Sequence, residues 1–295
     1  MKPMKTKFSN LHRHHFNWLP RRIFGPNEIS QFLAEHRRDW GVSVVGIQQF
    51  LNILLQQKLV TRAEFKSSEY PMIVRYLRGE HSVNELALSL QRASFLSHGT
   101  ALTVHGMAAA EKIIYVNREQ SPKNNSGGIT QAGIGLAFRN KQRQSKYVFN
   151  HAAVKYMLLN GKHTGRAGVT QIKTPSGEML DVTDKERTLI DIVVRPAYAG
   201  GIEHVAHAYA RGSAAVNIDH MIDILRQLGH AYPYHQAIGF LLEWAGRSSA
   251  DCQKFEALGK DFDFYLDYRM KRPNFSKKWR LYYPAFFDQA KKPLV

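Results

Sequence analysis

The sequence predicts an α+β (mixed α/β) chain: a winged helix-turn-helix near the N-terminus, then a larger mixed α/β domain that ends in a helical, basic part. Three observations carry this. Residues 27–78 read in the order helix, break, helix, hairpin. Five short β-prone runs lie between residues 112 and 173, separated by turn-rich pieces, and beyond Thr183 the apolar spacing turns helical.

Residues 1–26 form a basic arm. They include Lys2, Lys5, Lys7, Arg13, Arg21 and Arg22 and no acidic residue. In "PNEISQFLAEHRRDW", Asn27 is placed to cap a helix whose apolar side holds Ile29, Phe32, Leu33 and Trp40, and Gly41 breaks it. Helix resumes at Ser43, with Val44, Ile47, Leu51, Leu54 and Leu55 at a period of 3.6. Leu59 to Phe65 and Met72 to Leu77 read as two strands joined by a polar loop, which closes a unit at residues 27–78.

A second domain, residues 79–295, opens with helices from about Asn84 and from Ser97 to Val104. "KIIYV", "GIGLAFR", "KYVFN", "VKYMLL" and "GVTQIK" follow as strands, and "SPKNNSGG" and "TPSGE" as turns. The next helix is "TDKERTLIDIVV": Thr183 and Glu186 form a capping box, Pro196 ends the helix, and Gly200 and Gly201 permit the following turn.

Charge narrows the function. With 41 Lys plus Arg against 24 Asp plus Glu, the formal net charge is +17, which favours a polyanionic partner, nucleic acid first. The single cysteine, Cys252, rules out an internal disulfide framework and a cysteine zinc cage, and fits a reducing, cytoplasmic setting. No apolar stretch follows the charged start, and no run approaches the ~18 apolar residues of a membrane span, so neither export nor a membrane is expected.

The candidate DNA-reading surface is the polar back of the second helix. Gln49 and Asn52 suit bidentate contacts to adenine, Gln56 continues the stripe, and Ser43 sits near the helix start that points at bases. Arg62, Lys66 and Arg75 on or near the hairpin would meet phosphates. A protein-binding winged helix is the alternative. In the helix after Thr183, Arg187, Asp191 and Arg195 are four apart and align, so Asp191 can pair with either arginine. That stripe is a structural ion-pair ladder or a site built around Asp191. Near the C-terminus Arg269, Lys271, Arg272, Lys277, Lys278 and Arg280 alternate with Tyr268, Phe275 and Trp279. This mixture suits RNA or single strands, or else is a basic surface with its aromatics turned inward.

Two separated motifs carry a family resemblance. Ser97, His98, Thr100, Ala101, Leu102, His105 and Gly106 form the first, and Val182, Thr183, Glu186, Arg187, Thr188, Leu189, Asp191, Arg195, Pro196, Gly200 and Gly201 the second. In this order they resemble the AbiEi-type antitoxins of bacterial type IV toxin-antitoxin (abortive infection, phage defence) systems, over roughly Tyr76 to Tyr209. The resemblance implies a non-enzymatic antitoxin that binds operator DNA, represses its own operon and antagonises an AbiEii-type nucleotidyltransferase-like toxin, commonly without a stable complex. It implies no cofactor and supplies no catalytic residue set. It also makes the Arg187, Asp191 and Arg195 stripe a candidate for toxin antagonism.

The enzyme alternative is a metal-dependent nuclease built on Glu178, Asp181 and Lys185, at a spacing unlike the usual carboxylate-and-lysine strand. A plain DNA- or RNA-binding regulator is the other alternative. His12, His14 and His15 lack nearby carboxylates or cysteines and read as polar residues, and the pairs His98/His105 and His204/His207 could make a His-only metal site but suit helix packing and capping better, so no metal is expected.

Overall fold

A computed structural model describes residues 22–38, 46–122 and 128–289. The arm up to Arg21 with its three histidines, Trp40, the break at Gly41, Ser43 and Val44 lie outside the described residues. The chain is a mixed α/β molecule with several sheets and many helices.

The end of the arm is a strand, β1 (Ile23–Phe24), paired antiparallel to β3 (Ile73–Leu77). Helix α1 (Pro26–His36) begins one residue before Asn27 could cap it. Pro26 takes the first position, where its fixed φ and missing N–H cost nothing, and the Glu28 carboxylate accepts the Gly25 N–H at 2.6 Å. Helix α2 (Ile47–Gln56) buries Phe50, Leu51 and Leu54 and leads into β2 (Thr61–Phe65), which pairs antiparallel with β3.

The hairpin has two attachments. Tyr76 packs with Phe24, Leu33 and Phe50 in a small core, whereas Ala63 and Phe65 join a different core with Leu96, Val116, Tyr156 and Val182. Lys66 N–H donates to Asn150 O at 2.9 Å and Asn150 N–H to Lys66 O at 2.7 Å, which fixes the hairpin to the main sheet.

That sheet has six strands in the order β6-β7-β5-β4-β9-β8: β4 (Phe95–Leu96), β5 (Ile113–Glu119), β6 (Val148–His151), β7 (Val154–Gly161), β8 (Val169–Lys173) and β9 (Met179–Thr183). β5 with β7 and β4 with β9 are parallel; the other neighbours are antiparallel. Helices α3 (Val83–Ser89) and α4 (His98–Val104) flank β4.

"GIGLAFR" is helix, not strand: α5 (Gln131–Arg139). Thr130 Oγ1 caps it, accepting Gly133 N–H at 3.1 Å. In a strand Ile134, Leu136 and Phe138 would share a face; here Ile134 and Phe138, four apart, are buried while Leu136 is 64% exposed.

α6 (Lys185–Val194) also starts later than a Thr183 cap requires. Thr183 is still paired within β9, so its hydroxyl meets Thr188 Oγ1, and Asp184 Oδ1 accepts Arg187 N–H at 2.7 Å as the cap. Glu186 accepts Asn217 N–H instead. A 3-10 turn, Pro196–Ala199, follows, and Gly200 and Gly201 take φ of +79° and +98°, values an L side chain rarely adopts.

The last third is helical: α7 (Ile202–Gly212), α8 (Ile218–Leu228), α9 (Tyr234–Trp244) and α10 (Ser249–Glu256), then a small sheet of β10 (Phe264–Tyr265), β11 (Asn274–Ser276) and β12 (Leu281–Tyr283), and a final turn, α11 (Phe286–Gln289). Leu189, Ile192, Tyr209, Ile238, Leu241 and Trp279 share the largest core. No helix of the described residues is long and apolar enough to cross a membrane.

Candidate functional site

The two motif segments fold against each other. Leu96 pairs with Val182, His105 Nε2 donates to Thr183 O at 2.6 Å, and a Cβ on Gly99 would stand only 3.0 Å from Tyr198 O. This close approach brings His98, at the start of α4, beside α6 and the 3-10 turn. His98 has a φ of +52°, a left-handed conformation that histidine adopts more readily than most residues. Ser97 Oγ lies 2.8 Å from its Nδ1, and its ring meets Tyr198 edge-on at 5.2 Å.

On α6, Arg187 Nε donates to Asp191 Oδ1 at 2.7 Å and Arg187 Nη1 to Ala167 O at 2.7 Å, all buried. The expected ladder has one rung. Arg195, at the helix end, makes no side-chain ion pair or hydrogen bond among the described residues, and neither does Asp191 Oδ2.

These groups line a cleft of about 850 Å³. One wall is the loop 141–147, held where Gln142 Oε1 accepts Ala197 N–H and Tyr198 Oη accepts Ser145 N–H, which sets the exposed Arg143 and Lys146 at the rim. The other wall carries His230, Tyr232 and Tyr234, with Tyr268 from beyond β10. Arg143, Lys146, Lys162, Arg187 and Arg195 face one acid, Asp191, among the described lining residues. Lys162 is committed to the carbonyls of Leu228 and Gly229, at the end of α8.

Burial holds the His98 and His230 rings down at about 4, against the pull of Asp191, so both are neutral near pH 7. Burial likewise pushes the Tyr198, Tyr234 and Tyr268 hydroxyls up, leaving them protonated. The cleft thus combines exposed cations at the rim, neutral aromatic walls and one carboxylate at the floor.

The sequence-predicted DNA residues divide. Gln49, Asn52 and Gln56 form an exposed stripe on α2, with Gln48 Nε2 3.5 Å from Asn52 Oδ1; Ser43 lies outside the described residues. Arg62 and Lys66 are exposed and both meet Glu64, at 3.1 and 3.8 Å. Arg75 is engaged within the fold. Its guanidinium is half-buried and donates to the carbonyls of Val74, Ser89 and Leu90, where it caps α3.

The basic tail is part of the folded core. Trp279 is fully buried, its indole N–H bonded to Glu243 at 2.5 Å. Lys278 pairs with Glu243 and Glu256, and Arg280 with Asp263. Arg269, Lys271, Arg272 and Lys277 remain exposed.

The nuclease set is not assembled. Asp181 is held by Arg166 at 2.8 Å and Gln171 at 2.9 Å, Glu178 stands beside Glu85, whose carboxyl is pushed up by burial and by this neighbour, and Lys185 begins α6. His105 and His98 have the separate partners given above, and His207 packs on Phe286. Asp184, Glu186 and His220 do bring one ligand atom each within 4.8 Å, a grouping unforeseen in the sequence. Each is engaged in joining α6 to α8.

Sequence reasoning missed most of the cleft: Arg143, Lys146, Tyr198, His230, Tyr232 and Tyr234. The run "HAYPYH" (His230–His235) was the one available signal.

The chain matches no family model and no curated protein. The crystal structure of RV2827C protein from Mycobacterium tuberculosis is similar to it, with a TM-score of 0.54 at 12% identity over 89% of this chain and 86% of that one. The two share a fold. At that identity the likeness carries no information on activity.

Proposed function

We propose that the chain is an AbiEi-type antitoxin that also binds operator DNA and represses its own operon, opposing a nucleotidyltransferase-like toxin. The observation that carries this reading is the meeting of the two motif segments: residues 97–106 and 182–201, far apart in sequence, join through His105–Thr183 and, just before the first segment, Leu96–Val182, and present His98, Asp191 and Arg195 to one cleft. Motif residues that met nowhere would have been no more than coincident spacing.

In this reading α1, α2 and the β2–β3 hairpin act as a winged helix-turn-helix. The exposed Gln49, Asn52 and Gln56 enter the major groove, and Arg62 and Lys66 meet the backbone once drawn from Glu64. A net charge of +17 supports a polyanionic partner.

The test is plating efficiency of cells that express the adjacent gene product, with and without this protein. Full-length variants serve better than truncation at residue 78, because Ala63 and Phe65 fill a core shared with the main sheet. Rescue by the intact chain and by a Gln49→Ala/Asn52→Ala variant, with operator binding lost only in the latter, fits the proposal. Toxicity untouched by the intact chain sinks the antitoxin half.

A further inference from the structure

We infer that the cleft between α4, α6, α9 and the loop 141–147 is a nucleotide site: its floor takes a hydrogen-bond donor of the base or ribose, its tyrosine walls take the base plane, and its rim takes phosphate. The inference stands on the geometry of the cleft and does not require the antitoxin reading.

The floor sets the first condition. Asp191 is 6% exposed, and its Oδ1 is held by Arg187 while Oδ2 has no donor among the described residues. A carboxylate oxygen fixed in this way accepts an amino or hydroxyl hydrogen and repels an anion. His230 Nε2, also lining the cleft, is a second buried polar atom without a partner. The deep end of the ligand is therefore polar, hydrogen-bonding and not negatively charged.

The rim sets the opposite condition. Arg143, Lys146 and Arg195 make no side-chain ion pair or hydrogen bond among the described residues; Arg143 and Lys146 are exposed where the cleft opens, and Arg195 is half-buried along its lining. Cations gathered without a carboxylate suit phosphate oxygens. Tyr198, Tyr232, Tyr234 and Tyr268 line the cleft, aromatic side chains of the kind on which a heteroaromatic ring stacks. The volume of 850 Å³ is that of a small-ligand site, which commonly spans about 300–1,000 Å³.

Other chemistries satisfy only part of this. Inorganic phosphate neutralises the rim but gives Asp191 no donor, and an apolar ligand leaves both ends unmatched. A nucleotide joins a donor-bearing ring to an anion at about the span of such a cleft. The same unit can be a free nucleotide or the end of a single strand.

The experiment is calorimetric titration of the full chain with ATP, GTP, CTP and UTP, with the four nucleosides, with tripolyphosphate as the anion-only probe, and with a single-stranded RNA hexamer. At least one nucleotide should bind about tenfold or more tightly than both its nucleoside and tripolyphosphate. Arg143→Ala/Lys146→Ala, which alters two exposed side chains, should weaken it by about tenfold or more. Tripolyphosphate binding as tightly as every nucleotide, an unaffected double variant, or no nucleotide binding up to about 1 mM would each overturn the inference.

A hexamer that binds more tightly than the best nucleotide and is displaced by it identifies a strand end as the source. A hexamer that binds no more tightly identifies the free nucleotide. No toxin enters these measurements, so their failure leaves the antitoxin proposal standing, and failure of rescue leaves the cleft standing.

Discussion

Arg187 and Asp191 are joined at 2.7 Å across one turn of α6, and both side chains are buried, 7% and 8% exposed. Arg187 is also bonded to Ala167 O, so it links α6 to the segment that precedes β8. Removing Asp191 alone leaves a buried guanidinium without its counter-charge. Asp191→Ala is expected to cost about 3–5 kcal/mol by urea denaturation, and Arg187→Met/Asp191→Leu distinctly less. A double variant as unstable as the single one would argue against a purely structural rung.

Trp279 lies against the backbone of α9 at Gly239, where a Cβ would come within 2.1 Å of the indole ring. The ring is fully buried and cannot retreat. Gly239→Ala is expected to destabilise by about 1–3 kcal/mol or more and to red-shift tryptophan emission. Unchanged stability would mean that the ring does not occupy this place.

His98 is held at about 4 in the folded chain and titrates near 6.5 when unfolded. Between those values the unfolded chain binds a proton that the folded chain refuses. This contribution to stability is therefore full above about pH 6.5 and is lost as pH falls toward 4, by up to roughly 3 kcal/mol. His98→Asn, which tolerates the left-handed backbone, should flatten that slope in denaturation series at about pH 7 and about pH 4.5. An unchanged slope would place the acid sensitivity elsewhere, His230 first.

Arg75 and Gln49 separate structure from recognition. Arg75→Ala removes donors to Ser89 and Leu90 carbonyls and should lower stability by about 1–3 kcal/mol. Gln49→Ala, on an exposed face, should stay within about 0.5 kcal/mol of the parent while weakening operator binding in gel-shift titrations. Equal loss of DNA binding in two equally stable variants would contradict this division.

The sequence announced elements wherever one face is apolar and the other wet. α2 and β2 follow their period and α6 follows its caps to within one residue, whereas β7 is buried on both faces, with Tyr156 and Leu158 in one core and Met157 and Leu159 in another. α5 reads as a strand because Gly133, Ile134, Gly135 and Leu136 alternate small and large, while the deciding fact, that Ile134 and Phe138 enter the same core, is tertiary. β4 was too short to read at all, two residues sustained by neighbours on both sides.

The cleft was legible along α6 and, in the first motif and the basic run, at His98 and Tyr268 taken singly. Its other members come from residues 143–147 and 230–234, and chain spacing says nothing about the meeting of any of them. Nor does spacing say which cations near the hairpin turn inward: Arg62 and Arg75 look alike until α3 presents its last carbonyls to one of them.

Tyr70, in the loop of the β2–β3 hairpin, stacks on Tyr147 with centroids 4.3 Å apart and also lines the cleft. One aromatic pair thus joins the hairpin of the proposed DNA-binding unit to the wall of the proposed nucleotide cleft. If occupancy of one displaces that pair, the two binding events form a closed thermodynamic square. Whatever factor the pocket's guest imposes on DNA affinity, DNA must impose on the guest. A repressor built this way would report the concentration of its ligand by how firmly it holds its operator.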